Sequence, residues 1–295
     1  VAVRSSANDM TRMKPISPSA IVADRETAHA ARVACEVQSR YAIALMYHAL
    51  ASGGHPGGLD PHYSIATDEF GGQLDRILRD NGGAGSVRDW LAGIHRQAVL
   101  LTFDDGHASN HRLAFPMLVE RGMRADFFIN PANVGQPDFA GWSELRHMAE
   151  AGMSIQSHGY DHRYLTHLAP RELRETLRAA RTEIEDRVGT PVKLLAPPGG
   201  RMPAGLGDIA RECGYSHVLT SRPGRLRRDN RESLLPRLAV TAGMDQREFA
   251  KWIAGRPGPI LQRKLRYTTL AVAKHLLGDA LYEQARARAL VGNGH

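Results

Sequence analysis

The stretch AVLLTFDDGHASNHRLAFPMLVERGMRADFFI, residues 98–129, is the one on which the fold turns. It opens with an unbroken apolar run, Ala98 to Phe103, too short for a globular helix and typical of a strand buried on both faces. Asp104, Asp105 and Gly106 stop that run. Residues 113–122 then carry helical spacing and end on Gly122, a residue that tolerates the left-handed turn closing many helices. Residues 125–129 form a second short apolar run. Strand, polar turn, helix and strand in about thirty residues make a βαβ unit, whose strands lie parallel.

The same alternation continues on both sides. Strands are predicted over 41–47, 98–103, 125–129, 153–157, 192–196, 215–220 and 234–240. Helices are predicted over 142–152, 170–189, 203–214 and 246–254. Phe70, Leu74, Ile77 and Leu78 share a helical stripe that Asn81-Gly82-Gly83 ends. In the helix over 170–189, Pro170 occupies the first turn, and Leu173, Leu177, Ala180, Ile184 and Val188 share one face. Seven strands alternating with helices predict an α/β fold built on a parallel sheet, in number suited to a barrel as well as to an open sheet.

Outside this core the texture changes. Residues 1–40 lack a clean period and read as a poorly ordered N-terminal extension. Residues 52–61, rich in Gly, Pro and His, read as a loop. Residues 258–295 read as a basic helical extension, with Leu261, Leu265, Leu270, Ala273 and Leu276 on one stripe. That stripe is expected to pack on the core; a surface helix on an anionic membrane is the alternative.

Composition narrows the function class. The 295 residues carry a formal net charge of +7, with 42% hydrophobic and 23% charged residues, as in ordinary globular proteins. The Arg-rich stretch 222–231 lacks interleaved aromatics, so a solvated loop is expected there and no nucleic-acid partner. Cys35 and Cys213 are too few and too far apart for a disulfide framework or a cysteine metal cluster. No apolar run approaches the roughly 18 residues of a membrane span. The lack of a continuous apolar leader segment favours a cytoplasmic location, with the cell envelope as the alternative.

Chemistry-bearing residues gather where strands end. His48 follows the first strand, Asp104-Asp105-Gly106 the second, His158-Gly-Tyr-Asp-His162 the fourth and Pro197-Pro-Gly-Gly200 the fifth. Strand C-termini are where α/β folds build their sites. Adjacent carboxylates repel when buried, and a cation relieves that cost. One aspartate can then bind a metal while the other serves as a base. His158 and His162 are four apart, so both imidazoles can reach one ion. His107 and His111 share the spacing among 14 histidines, so position after a strand is what distinguishes the first pair. Asp105, His158 and His162 would give two nitrogens and one oxygen with a position open for water, the layout of a catalytic site.

Thr102-Phe-Asp-Asp-Gly106 and Ser157-His-Gly-Tyr-Asp-His162 resemble the first two signature motifs of the polysaccharide deacetylases, the NodB-homology family. Leu45-Met-Tyr-His48, residues 125–129, Trp142 to Gly152 and Pro197 to Gly200 extend the resemblance over roughly residues 41–257. It implies a distorted (β/α) barrel with about seven strands. It also implies a metal-dependent hydrolase of linear amides that removes N-acetyl groups from N-acetylhexosamine units of a polysaccharide or its precursor. An O-acetyl esterase on the same scaffold and a non-catalytic glycan-binding protein are the alternatives. One divalent ion, zinc by default, would be held by Asp105, His158 and His162. Asp104 would be the base, and the loop with Pro198, Gly199 and Gly200 would approach the substrate.

Two departures accompany the resemblance. Many relatives carry an arginine where this chain has Ala196; Arg201 and Arg237 are the candidate replacements, and Arg237 lies inside the last predicted strand. The family's late Leu-x-x-His motif is missing after Val240, while Leu45-Met-Tyr-His48 shows that pattern at the front. This suggests a circularly permuted member with His48 as the general acid; a hydrogen bond confined to the strand end is the competing role.

Overall fold

The computed structural model describes residues 41–52, 60–228 and 233–277. The expected N-terminal extension lies outside these residues, as do most of the loop 52–61 and the end of the C-terminal segment.

The strands are β1 (Tyr41–Tyr47), β2 (Ala49–Ala51), β3 (Ser64–Ala66), β4 (Val99–Phe103), β5 (Ala125–Ile129), β6 (Ser154–Ser157), β7 (Leu194–Leu195), β8 (His217–Leu219), β9 (Leu226–Arg227), β10 (Leu234–Leu235) and β11 (Leu238–Ala239). The helices are α1 (Thr67–Asn81), α2 (Val87–Leu91), α3 (Phe115–Glu120), α4 (Trp142–Glu150), α5 (Pro170–Val188), α6 (Leu206–Glu212), α7 (Gln246–Ile253) and α8 (Pro257–Leu277). Eight strands follow one another in the order β10-β8-β7-β6-β5-β4-β1-β11, all parallel, and β9 adds antiparallel to the start of β1. Strands β2 and β3 form a separate parallel pair.

The predicted strand 234–240 is two strands. Leu234 and Leu235 pair with Val218 and Leu219 of β8, whereas Leu238 and Ala239 pair with Leu45 and Met46 of β1. Pro236, between them, has no N–H to give to a ladder. One short segment therefore touches both ends of the eight-strand path and nearly closes the sheet into a barrel. The first and last strands are neighbours across that closure.

Strand periodicity sorts the core into two layers. Ile43, Leu45, Tyr47, Leu101, Phe103 and Phe127 pack in one cluster with helix residues such as Phe70, Leu74, Leu118, Leu145 and Leu177. Their alternates, among them Ala42, Ala44, Leu100, Phe128, Leu194 and Ala196, form a smaller cluster inside the barrel with Val87 and Trp90 of α2. Tyr47, Phe103 and Phe127 occupy one row of the register, and Phe103 stacks on both neighbours at 5.4 and 4.8 Å between centroids.

The helices follow their apolar stripes with three corrections. Phe70, Leu74 and Ile77 of α1 are fully buried, but Leu78 is 44% exposed because it lies a further 100° round the helix from Ile77. The helix predicted over 113–122 begins instead as a π turn, Asn110–Ala114, before α3. Pro116 cannot donate the bond that an α-helical turn would send to Arg112, which favours the wider turn. On α8, Ile260 is buried, whereas Leu261 and Leu265 are exposed, so the expected leucine stripe is not what packs on the core. Gly82 and Gly189 end α1 and α5 in the left-handed conformation, as their positions in the sequence suggest.

Candidate active site

Asp104 continues β4 by one more ladder bond, its N–H donating to the Tyr47 carbonyl at 2.9 Å. Its side chain is buried and meets Arg237, which is 1% exposed. Arg237 Nη1 donates to Asp104 Oδ1 at 2.7 Å and Nη2 to Oδ2 at 2.8 Å, a two-point hold matched to the carboxylate. Nη1 also reaches Thr102 Oγ1 at 3.2 Å, Nε donates to the Thr220 carbonyl at 3.3 Å, and the guanidinium lies 5.4 Å over the Phe128 ring. Thr102 passes its own proton to the Leu45 carbonyl. Burial alone would raise the Asp104 carboxyl; the Arg237 charge, with His158 near, outweighs it and holds the group below the ordinary carboxylate range.

Asp105 turns the other way because its backbone does. Its φ is +74°, and Gly106 follows at +70°. Among the described residues the non-glycine positions with positive φ are Asp105, Asp138 and His162, so two of the three belong to one site. Asp105 Oδ1 lies 3.2 Å from His158 Nε2 and 3.2 Å from His162 Nε2. One ligand atom from each residue falls within 4.8 Å of the others. Burial works to raise the Asp105 carboxyl, but the two imidazole contacts carry it well below the usual value. Its carboxylate in turn raises His162. His158 is buried and His162 exposed, so the cluster opens to solvent on the His162 side. Two imidazole nitrogens and one carboxylate oxygen at this spacing suit a divalent ion of intermediate softness with room for a further ligand.

Side chains from other elements fix this geometry. His158 N–H donates to the Ile129 carbonyl at the end of β5, and Asn130 Nδ2 donates to the His158 carbonyl. Asn110 Nδ2 donates to the His48 carbonyl at 2.7 Å, and the His48 ring lies against Tyr63 with centroids 4.5 Å apart. His48 Nδ1 is buried without a hydrogen-bond partner. Burial lowers its pKa, while Asp105 and Asp104, both close enough to act on it, pull the other way.

Loop 197–200 follows β7, and Pro198 packs near Gly159. Gly199 and Gly200 both have positive φ, and a Cβ on either would lie 2.6 Å from Tyr164 Cε1 or Ser221 Oγ respectively. The space these glycines leave is filled on that side by the chain's own residues, which fixes the loop against Tyr164 and Ser221. Arg201 stacks 4.1 Å over Tyr164, away from the Asp104 pair that Arg237 makes. Ala196 is buried in the inner cluster, and the arginine that reaches Asp104 is Arg237, which lies in the break between β10 and β11 and not inside a strand as predicted. His107 and His111 stay apart from the triad: His107 Nδ1 faces Ser109, and His111 faces His147 and Glu144.

Residues 93–218, which span both aspartates, both histidines and the glycine loop, match the polysaccharide deacetylase family model. This stretch of the chain is similar to a polysaccharide deacetylase domain. It is 27% identical over 247 residues to YxkH of Bacillus subtilis, whose name places it among the polysaccharide deacetylases; the match covers 81% of this chain and 85% of that one. The fold superposes on a polysaccharide deacetylase from Bacillus cereus with a TM-score of 0.65 at 24% identity, covering 72% of this chain and 69% of that one. It superposes on IcaB from Ammonifex degensii with a TM-score of 0.61 at 25% identity, covering 73% and 97%. The nearly closed barrel is thus the architecture that the family resemblance implied.

Proposed function

We propose that this deacetylase domain removes N-acetyl groups from N-acetylhexosamine units of a polysaccharide or its precursor, using one divalent ion, zinc by default. The observation that carries the reading is the pairing of two unlike aspartates: Asp105 converges with two imidazoles, and its neighbour Asp104 is held ionised by Arg237. Asp105, His158 and His162 would hold the ion, which supplies Lewis acidity toward the acetyl carbonyl. Asp104 takes the proton of the attacking water. Arg237 keeps that carboxylate ionised and aimed. His48 delivers a proton to the departing nitrogen. An amine leaves only once protonated, whereas an alkoxide leaves more readily, so an imidazole close enough to act on both aspartates supports the amide reading.

Metal analysis together with acetate release from paired N- and O-acetylated oligosaccharides tests this. His162→Ala is expected to bind less than a tenth of the parent's divalent metal, and chelation of the parent to abolish acetate release until zinc is restored. Full activity in metal-free protein would overturn the metal role. His48→Gln is expected to slow N-acetyl hydrolysis by about 100-fold and O-acetyl hydrolysis less, and to remove the basic limb of the pH profile. An unchanged basic limb at full activity removes His48 from the mechanism.

A further inference from the structure

The N-terminal end of the barrel, opposite the site, carries a basic band with exposed apolar side chains. Helix α8 turns Ile260, Arg263 and Tyr267 inward or partly inward, with Arg263 lying 5.3 Å over the Trp252 ring. Its outer face carries Leu261 and Leu265, 57% and 60% exposed, with Lys264 between them and Thr268 a turn on. From residue 249 to residue 278 the chain holds Lys251, Arg256, Arg263, Lys264, Arg266 and Lys274 and no Asp or Glu. Arg225 Nη1 donates to the Gly255 carbonyl just before α8 and stacks 4.7 Å over Tyr41, the first residue of β1. Arg227 lies over the same ring, and Arg228 stacks 5.0 Å over Trp90 while donating to the His95 carbonyl. Beside His95, Ile94 is 68% exposed. The arginine stretch that lacks aromatics in sequence thus finds them in the fold, on β1 and α2.

We propose that this face docks on an anionic lipid surface. Leu261 and Leu265 with Lys264 between them, and Ile94 two residues before the exposed Arg96, match an interface in which apolar tips enter the headgroup boundary and basic groups meet lipid phosphates. A hydrated anionic polysaccharide would use the arginines but gain nothing from Leu261, Leu265 and Ile94. A second copy joined through the same face would set two basic stretches against each other without acidic partners. Among the described residues no helix is long and apolar enough to cross a membrane. The inference does not depend on the catalytic reading.

The test is sedimentation of the full chain with phosphatidylcholine vesicles, with and without added phosphatidylglycerol. Acetate release from a soluble substrate serves as the check on folding. The chain is expected to bind the anionic vesicles, to release as salt is raised, and to bind at least about tenfold more weakly as Leu261→Ser/Leu265→Ser or as Lys264→Glu, with both variants keeping parental activity. Absence of binding to anionic vesicles, or equal binding by parent and leucine variant, overturns the proposal. So does a concentration-dependent dimer in sedimentation velocity that the leucine variant loses.

Discussion

Arg237 directs Nε, Nη1 and Nη2 to acceptors inside the barrel, and two of its bonds reach one carboxylate. Removing it leaves Asp104 buried with no balancing charge, and burial then raises the Asp104 pKa. Arg237→Ala is therefore expected to cut kcat by at least about 100-fold and to move the acid limb of the pH profile upward, because the base must be ionised to act. Bound metal should be unchanged, since none of the three proposed ligands touches the guanidinium. Lys at 237 restores the charge but not the two-point hold, so it should recover only part of the rate. A parental pH profile in Arg237→Ala would reject the role. Asp104, Asp105, His158 and His162 are legible in sequence because they cluster in two short motifs directly after strands. Arg237 is legible only as a candidate, through the alanine at 196. Asn130 and Tyr63 leave no such trace: each acts on a residue distant in sequence, Asn130 through one hydrogen bond and Tyr63 through one ring contact.

Elements rich in local signals match their predictions, and those fixed by distant partners do not. β1 and β5 run over the predicted residues because each is an apolar run bounded by polar or turn residues. Residues 234–239 look like one strand because apolar periodicity cannot say which neighbour each half pairs with. Asp126 on β5 is a second case of distant control. It is fully buried and accepts the backbone N–H groups of Val87 and Arg88 in the first turn of α2. Burial pushes its carboxyl up to about 6, against the pull of the Ser154 hydroxyl and those two N–H groups. The folded-state value lies above the unfolded 3.8, so the proton-linked stability is full below the unfolded value and lost as pH rises through about 6. The loss is about 3 kcal/mol by linkage. Asp126→Asn should escape it, its urea midpoint rising relative to the parent between about pH 4 and about pH 6. Parallel curves for the two proteins would assign the loss to other groups.

At the scale of the whole molecule, the barrel is held from outside by helices on the aromatic row and from inside by the small cluster over α2. Phe103 contacts Tyr47, Phe70 and Phe127 and is fully buried, so Phe103→Ala should cost about 3–5 kcal/mol in urea unfolding. A loss below about 1 kcal/mol would show that the row collapses around the gap. The α/β class and the parallel sheet were legible because alternation of short apolar runs with helical stripes is a property of the chain itself. Closure was legible only through the family resemblance, because alternation alone does not say that two halves of one hexapeptide reach opposite edges. That hexapeptide also bears the arginine that completes the base. A chain halted before Pro236 would retain the strands from β1 to β10 and all four motif residues, yet its Asp104 would stand unpaired. Under the proposed mechanism, catalytic competence and architectural completeness would mature together, and release of acetate would double as a signal that assembly has finished.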